Sequence, residues 1–334
     1  MARRGPGAKP RPGLTSCSLA PMVKVLEAVP NFSEGRDLSK VRALVDTIAA
    51  TGVEVLDWSA DPDHHRCVIS YIGDPRLVVR ASIAAAEFAR DHIDLREHQG
   101  VHPCVGALDV MPLVPLHGVD MTDAVSAAHR VGKAIADLGV PVFYYGRASD
   151  PVGRGLAELR RGGFKGLAKG FPEDRRPQEP ASAERAHETA GVTCVGARPV
   201  LLAWNIFLRG ITRDQAREIA SQVRERDGGF VGLRALGLHL PSQDRVQISM
   251  SLEDPTKTSP LAVFSAIEKV VHAQGGDVVE TQVIGMIPDA LVLPATQDRL
   301  HILDLKPARV LSRRVRMHME GRLDTGMPTS NDAI

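Results

Sequence analysis

The chain has 334 residues, enough for two compact domains or one large one. Apolar residues make up 43% and charged residues 24%, the composition of an ordinary globular protein, which excludes a mainly disordered chain. The 41 basic and 40 acidic residues nearly cancel, to a formal charge of +1. That balance argues against nucleic-acid partners and against a membrane-surface protein. No apolar run reaches the roughly 18–20 residues that span a bilayer.

The cysteines are scattered, and none forms a C-x-x-C pair. This spacing argues against both a disulfide framework and a structural zinc site, and it predicts a cytoplasmic location. Residues 1–22 carry twin arginines but lack the apolar segment of an export signal. We expect them to form a disordered tail.

Hydrophobic periodicity divides the first half of the chain into strands and helices. The predicted elements are a strand over 24–29, a helix over 37–50, strands over 53–58 and 65–72, a helix over 75–93, a strand over 105–116, a helix over 122–138 and a strand over 141–145. A polar stretch rich in glycine and proline follows over about 147–188 and is the predicted linker.

The second half repeats this order. Its predicted elements are strand-rich residues 192–208, a helix over 212–226 with a Thr212–Gln215 capping box, strands over 231–240 and 245–252, a helix over 260–274 and a strand over 278–287. Residues 245–252 alternate between apolar and polar side chains, so one face of that strand is buried in a core and the other is polar.

Both halves thus have the order β-α-β-β-α-β, which predicts an α+β fold of two ferredoxin-like subdomains, each a two-layer sandwich. Helices cover one face of such a sheet, so the second unit or a partner chain must cover the other. We expect subdomains over 23–178 and 179–305, a C-terminal extension over 306–334, and a ligand cleft between the subdomains.

The first two candidate functional segments are loops. Residues 29–36, VPNFSEGR, lie between a strand and a helix and are either helix-capping residues or, through Asn31, ligand contacts. Residues 57–66 contain Asp-His-His, a triplet also found in metal-dependent phosphoesterases, but the companion motifs of that class are missing. A polar hairpin is the alternative, and we predict no metal.

The other two segments could carry transfer chemistry. In residues 98–110, His102 could move a proton near neutral pH, although a structural histidine is equally compatible with the pattern. In residues 189–199, small side chains would let a flat ligand approach the backbone, and Arg198 could hold a carboxylate.

Together these segments resemble the formiminotransferase domain family over residues 25 to about 288. The matching motifs are VPNFSEGR at 29–36, DPDHHR at 61–66, GDP at 73–75, HP-x-x-GALDV-x-P at 102–112, RRG-x-F-x-GL at 160–167, TAG-x-T-x-VGARP at 189–199 and Q-x-SM-x-L at 247–252. The set is specific, whereas each motif alone is weak.

The resemblance implies transfer of a formimino group from N-formimino-L-glutamate to N5 of tetrahydrofolate, the co-substrate, in histidine breakdown. It implies a homodimer with small-molecule partners, and it makes His102 the catalytic general base and acid. The implied folate contacts are Ser182, Arg185, His187, Glu188, Thr189, Ala190 and Gly191. We add Asn31, Arg66 and Arg198 as candidate substrate contacts, because arginine matches a carboxylate with two parallel hydrogen bonds.

Four positions depart from the family pattern. Family members usually carry Arg where this chain has Cys104, Asn at Phe207, an acidic residue at Gly163 and Pro at Glu188. Formyl transfer involving 5-formyltetrahydrofolate and a non-catalytic folate-binding homologue are therefore alternatives. The donor can be formimino- or formylglutamate.

Overall fold

The computed structural model of the protein describes residues 23–291, 299–302 and 306–322. The helices are α1 Leu38–Ala49, α2 Pro75–His92, α3 Met121–Asp137, α4 Leu156–Leu159, α5 Gly163–Leu167, α6 Arg213–Val223, α7 Pro260–Ala273 and α8 Leu311–Met319. The strands are β1 Val25–Ala28, β2 Asn31–Phe32, β3 Glu54–Asp61, β4 Arg66–Gly73, β5 Leu108–His117, β6 Val142–Gly146, β7 Thr193–Ala197, β8 Leu202–Arg209, β9 Leu233–Leu240, β10 Arg245–Leu252 and β11 Asp277–Ile284. Short 3-10 turns lie at Glu173–Arg175, Glu225–Asp227, Asp289–Leu291 and Pro307–Arg309.

Within these described ranges the strands form two sheets, which confirms the predicted α+β class. In the first sheet β1 and β2 lie between β4 and β5, β3 pairs with the far side of β4, and all of these pairs are antiparallel. Beyond β5 the sheet continues in parallel through β7 to β6.

The second sheet has the order β11-β8-β10-β9, with every pair antiparallel. Thr212 and Gln215 form the expected capping box on α6, although the helix ends at Val223, three residues before its predicted end. Helix α7 ends at Ala273, two residues before Gly275, whose φ of +80° is a conformation that glycine adopts readily.

The second sheet has its helices on one face, and the first sheet has α1, α2 and α3 on one face. Helices α4 and α5 cover part of the opposite face of the first sheet, at β6 and β7, and the remaining open faces of the two sheets line the cavity between the units. In β10, Ile248, Met250 and Leu252 pack in the helix-side core, while Gln247 and Ser249 lie on the opposite face. The alternation read from the sequence is therefore confirmed. The other unit of the same chain covers the open face of each sheet, so no partner chain is needed to cover it.

The predicted linker over 147–188 is wrong as a description of this segment. It contains α4 and α5, and Leu159 and Leu167 are fully buried against apolar residues of β6 and β7. Glycine and proline marked its irregular backbone correctly, but its apolar side chains pack on the first sheet and make it part of the first unit.

The change of sheet lies between Ala197 and Leu202. This is later in the chain than the expected boundary between residues 178 and 179. Thr193–Ala197 is buried along its whole length because it lies between two parallel neighbours, β5 and β6. The strand-rich stretch 192–208 therefore contributes one strand to each sheet.

The end of the chain joins the two units. Helix α8 packs Leu311 against Val25 and Ile72 of the first sheet, and Arg314 donates to Glu54 at 2.8 Å. The first part of the expected C-terminal extension is thus a packed helix. The predicted N-terminal tail lies outside the described residues. Among the described helices, none is long and apolar enough to cross a membrane.

Candidate active site

A cavity of about 560 Å³ lies between the two sheets. His102, Asn31, Arg66 and Arg198 all line it, together with inner-face residues of β8, β10 and β11. The structure thus brings the predicted catalytic residue and the three predicted substrate contacts into one enclosure.

Three loops of the first unit, which carry residues 29–36, 57–66 and 98–110, meet at the end of the cavity that contains His102. The guanidinium of Arg36 donates to the carbonyl oxygens of Pro62 at 3.0 Å and Gln99 at 2.6 Å. The VPNFSEGR loop is therefore hydrogen-bonded to the loops that contain Pro62 and Gln99. At Gly100 a Cβ atom would lie 2.2 Å from the carbonyl oxygen of His64, an approach that only glycine permits. These contacts fix the backbone that carries His102.

Arg66 contacts the ring of His102. Its Nη1 lies 2.7 Å from Nδ1 of His102, and its Nε donates to Oδ1 of Asn31 at 3.0 Å. Nδ1 also lies 2.9 Å from the carbonyl oxygen of Pro103, and Nε2 lies 3.1 Å from Nη1 of Arg66. A guanidinium can only donate and a carbonyl oxygen can only accept, so a neutral imidazole with its proton on Nδ1 satisfies both partners. Asn31 holds Arg66 in place through its side-chain oxygen.

The pKa of His102 lies well below its ordinary value of 6.5. Burial is the main cause, and the positive charges of Arg66 and Arg160 act in the same direction. At neutral pH the imidazole is therefore unprotonated and can accept a proton.

A buried carboxylate anchors the arginines. Asp109 is 2% exposed, accepts from the backbone N–H of Val105 at 2.8 Å and pairs with Arg160, while Nη1 of Arg66 lies 3.9 Å from it. Two guanidinium groups share one carboxylate, so the cluster keeps an uncompensated positive charge. Such a site attracts anionic ligands.

His64 links the His102 end of the cavity to the second unit. The Gln247 side-chain amide donates to Nε2 of His64 at 3.0 Å, and the His64 ring lies 5.8 Å from that of His102, centroid to centroid. Burial lowers the pKa of His64, which agrees with a neutral ring that accepts this hydrogen bond.

The Asp-His-His segment is engaged in separate contacts. Asp61 accepts from the backbone N–H of His64 at 2.7 Å, and Asp63 accepts from the Ser242 hydroxyl at 2.5 Å. Across the described part of the chain, no three His, Cys, Asp or Glu side chains are grouped so that they could hold a metal ion. The segment forms a turn that ties the two units together.

The predicted folate contacts lie elsewhere. Arg185, His187 and Glu188 line a second cavity of about 930 Å³, whose lining also includes Lys165 and Lys169. None of the residues in the 182–191 stretch lines the His102 cavity. Nδ1 of His187 accepts from the backbone N–H of Ala190 at 3.1 Å, so this side chain shapes its own loop.

Sequence reasoning missed Asp109, Arg160 and Gln247 as site residues. All three stand inside motifs that the sequence displays, namely GALDV, RRG-x-F-x-GL and Q-x-SM-x-L. An Asp within an apolar strand was the available signal, because a buried charge must find a partner. Nothing local indicated that Arg160, 51 residues away, is that partner.

Comparison with known sequences matches these motifs to a domain. The model of the formiminotransferase domain, N-terminal subdomain, matches residues 25–198, and that of the formiminotransferase domain matches residues 203–305. The chain belongs to the formiminotransferase domain family. The two matched segments meet where the structure changes from the first sheet to the second, between Ala197 and Leu202.

Curated members of the formiminotransferase domain family are similar in sequence to most of this chain. Glutamate formimidoyltransferase from Streptococcus pyogenes serotype M1 is 34% identical over 287 residues, which cover 85% of this chain and 95% of that protein. A protein of the same name from Thermoplasma acidophilum is 32% identical over 298 residues, covering 88% and 98%. Formimidoyltransferase-cyclodeaminase from Sus scrofa is 36% identical over 286 residues, covering 82% of this chain and 52% of that protein.

Proposed function

We propose that this chain is a folate-dependent one-carbon transferase that moves a formimino group from N-formimino-L-glutamate to N5 of tetrahydrofolate. The observation that carries the proposal is the neutral imidazole of His102 beside Arg66, in a cavity whose charged cluster keeps a positive charge. Family membership and the names of the relatives support the class of reaction.

The positive cluster suits the donor substrate, which carries two carboxylates. Arg66 and Arg198 both line the cavity, and each guanidinium can offer two parallel N–H groups to a carboxylate. Asn31 fixes the orientation of Arg66 and so acts through it. The inner face of the second unit supplies Ser249 and Gln282, uncharged groups that can orient the amidine without competing for the carboxylates.

His102 is the proton carrier in this reaction. As N5 of tetrahydrofolate bonds to the amidine carbon, the imidazole accepts the N5 proton. The tetrahedral adduct then breaks its bond to the glutamate nitrogen, and His102 returns the proton to that nitrogen as glutamate leaves. A positioned proton transfer of this kind is worth roughly 10²–10⁴-fold in rate. Holding the two substrates in register adds further acceleration.

The two-unit architecture supports the same proposal. In each sheet the four strands of the predicted βαββαβ unit lie in the order fourth-first-third-second, and this order supports our proposal that each unit is ferredoxin-like. The cavity between the open faces is our candidate for the substrate cleft. Folate contacts over 182–191, a homodimer and a cytoplasmic location stay predictions. The lysines and arginines of the second cavity suit an anionic ligand.

A turnover assay with the purified protein tests the proposal. Tetrahydrofolate is offered with formiminoglutamate or with formylglutamate, and the modified folate and free glutamate are both quantified. We expect product from formiminoglutamate only when both substrates are present. Product from formylglutamate alone would favour formyl transfer, and folate binding without turnover would favour a non-catalytic homologue.

A further inference from the structure

The cavity has a second polar end, away from His102. Glu27 is 4% exposed and Ser70 is 1% exposed, and both line the cavity. Glu27 lies opposite Ile72 in the β1–β4 ladder, and Ser70 lies two residues further along the same strand face. Diagonal neighbours of this kind are about 7–8 Å apart, within reach of a long side chain.

Both groups lack a hydrogen-bond partner among the described residues. The hydroxyl of Ser70 is buried and unpaired. The carboxyl group of Glu27 forms no hydrogen bond or ion pair with any residue in the described ranges, although Arg198 attracts it from a distance. Burial raises the pKa of Glu27 to about 7, against the opposing effect of Arg198. Buried polar groups are rarely left unpaired, so two in one cavity point to a bound molecule.

The second unit closes this end. A Cβ atom at Gly285 would lie 3.2 Å from Oγ of Ser70, so the chain after β11 covers the serine closely. Glu27 on β1 precedes Asn31 on β2 by four residues, and both strands lie between β4 and β5, so the two residues are about 13 Å apart in extended chain. Asn31 holds the arginine that contacts His102. A ligand that reacts at His102 could therefore extend a flat ring system toward Glu27.

We propose that Glu27 and Ser70 form the subsite that recognises the pterin ring of tetrahydrofolate, through the 2-amino group and the adjacent ring N–H. This assignment rests on the proposed function. Two N–H groups on one edge of a ring match the two oxygens of a carboxyl group, as the two N–H groups of a guanidinium do. The Ser70 hydroxyl can accept from the amino group or donate to the ring carbonyl.

The competing occupant of this end is the glutamate tail of the folate. Arg198 would attract a tail carboxylate, but Glu27 would repel the same group. An acceptor carboxyl and a hydroxyl that both lack partners fit a donor-rich ring edge better than an anion. The two ligand portions can be tested separately, because each exists as a small molecule.

The test is calorimetric binding to the full chain and to its Glu27→Gln and Ser70→Ala variants. The probes are 5-formyltetrahydrofolate, 6-methyltetrahydropterin kept reduced, and p-aminobenzoylglutamate. We expect Glu27→Gln to weaken the first two by roughly 10–100-fold and to leave the third unchanged, because it removes charge-assisted hydrogen bonds to the ring. Ser70→Ala should weaken the same two probes by a few-fold. Glu253→Gln is the matched control, since Glu253 lines the same cavity at its exposed rim and pairs with Arg234.

The outcomes separate this inference from the proposed function. If Glu27→Gln binds the tetrahydropterin as tightly as the wild-type protein does, and the wild-type protein is active, the pterin subsite is wrong and the transferase proposal stands. If Glu27→Gln or Ser70→Ala loses affinity only for p-aminobenzoylglutamate, this end of the cavity binds the glutamate tail, and the pterin subsite is again wrong. A wild-type protein that binds no folate probe and shows no turnover overturns both. Thermal unfolding of each variant shows whether it is folded, and Ser70→Ala tests the subsite independently of the buried carboxyl.

Discussion

The two units share a strand order but carry different chemistry on the faces that meet at the cavity. The first unit contributes the buried charged groups Arg66 and Glu27 and the loop residue His102. Near the middle of the cavity the second unit contributes amides, hydroxyls and an aromatic ring, including Asn205, Ser249 and Phe207. The charged residues of the second unit that line the cavity pair with one another, Arg234 with Glu253 and Lys257 with Asp254.

This contrast shows that topology alone does not decide what a unit does. The first unit inserts long loops between its strands and helices, and three of these loops meet at His102. The second unit lacks a counterpart of these loops among its described residues and presents the plain face of a sheet. Function is thus located in the loops and inner-face side chains of a repeated scaffold. The comparison predicts that substitutions in the first unit affect chemistry and those in the second affect orientation.

Replacing His102 should have the largest effect. Glutamine keeps the volume but removes the titratable nitrogen, so we expect the turnover number to fall roughly 10²–10⁴-fold with little change in substrate affinity. Steady-state kinetics with a folding check by circular dichroism measure this. His98→Gln is the control, because His98 stacks on His65 at 4.5 Å in the same loop pair and has a structural role. If His98→Gln and His102→Gln lowered the turnover number equally, the assignment of His102 as the proton carrier would be contradicted.

The pH dependence of kcat/KM is a second test of the role of His102. Since the pKa of His102 is depressed by burial, its base form persists below neutrality. The acid limb of kcat/KM should therefore lie below 6.5, with a plateau from there to pH 8. A limb at or above 6.5 that disappears in His102→Gln would show that the histidine is not desolvated.

Asp109 should matter for stability as well as for activity. Asp109→Asn leaves Arg160 and Arg66 without their shared carboxylate in a buried place, so unfolding free energy should fall by about 3–5 kcal/mol. Urea denaturation measures the change. Asp277→Asn is the matched control, since its partner Arg209 is exposed, and exposed pairs are worth about 0–1 kcal/mol. A loss below about 1 kcal/mol for Asp109→Asn contradicts the anchoring role.

Gln247 tests the contribution of the second unit. Gln247→Met keeps the approximate size but removes the hydrogen bond to His64, and we expect turnover to fall about 2–10-fold, the loss of one hydrogen bond. Gln222→Met, on the outer face of α6, should leave turnover unchanged. If Gln247→Met lowered turnover more than His102→Gln does, the second unit would contribute more to the chemistry than the first, contrary to our expectation.

Chelation should have the smallest effect. Asp61, Asp63 and His64 are engaged in contacts that form a turn and join the units. Activity should survive exhaustive treatment with EDTA, measured against an untreated sample. A stoichiometric divalent ion, found by elemental analysis of active protein and held by Asp61, Asp63, His64 or His65, would contradict this expectation.

Much of the local structure followed from the sequence. Alternation gave the strands, 3.6-residue periodicity gave the helices, and cap residues such as Thr212 and Gly275 gave their ends. The candidate site was predictable in part, because His102, Asn31 and Arg66 stand in recognisable motifs and do line one cavity. The strands, helices and caps depend on residues close together in the chain, which is why the sequence alone determined them.

Only the tertiary structure decided which distant segments meet. Pairing across space assigned Thr193–Ala197 to the first sheet, and the packing of Leu159 and Leu167 turned the expected linker into part of the first unit. The pairing of Asp109 with Arg160 and the separation of Arg185 from His102 were likewise invisible to local patterns. The physical reason is that a buried charge or an unpaired strand edge takes its partner from the residues that lie near it in the folded chain. The spacing of residues along the sequence does not determine which residues those are.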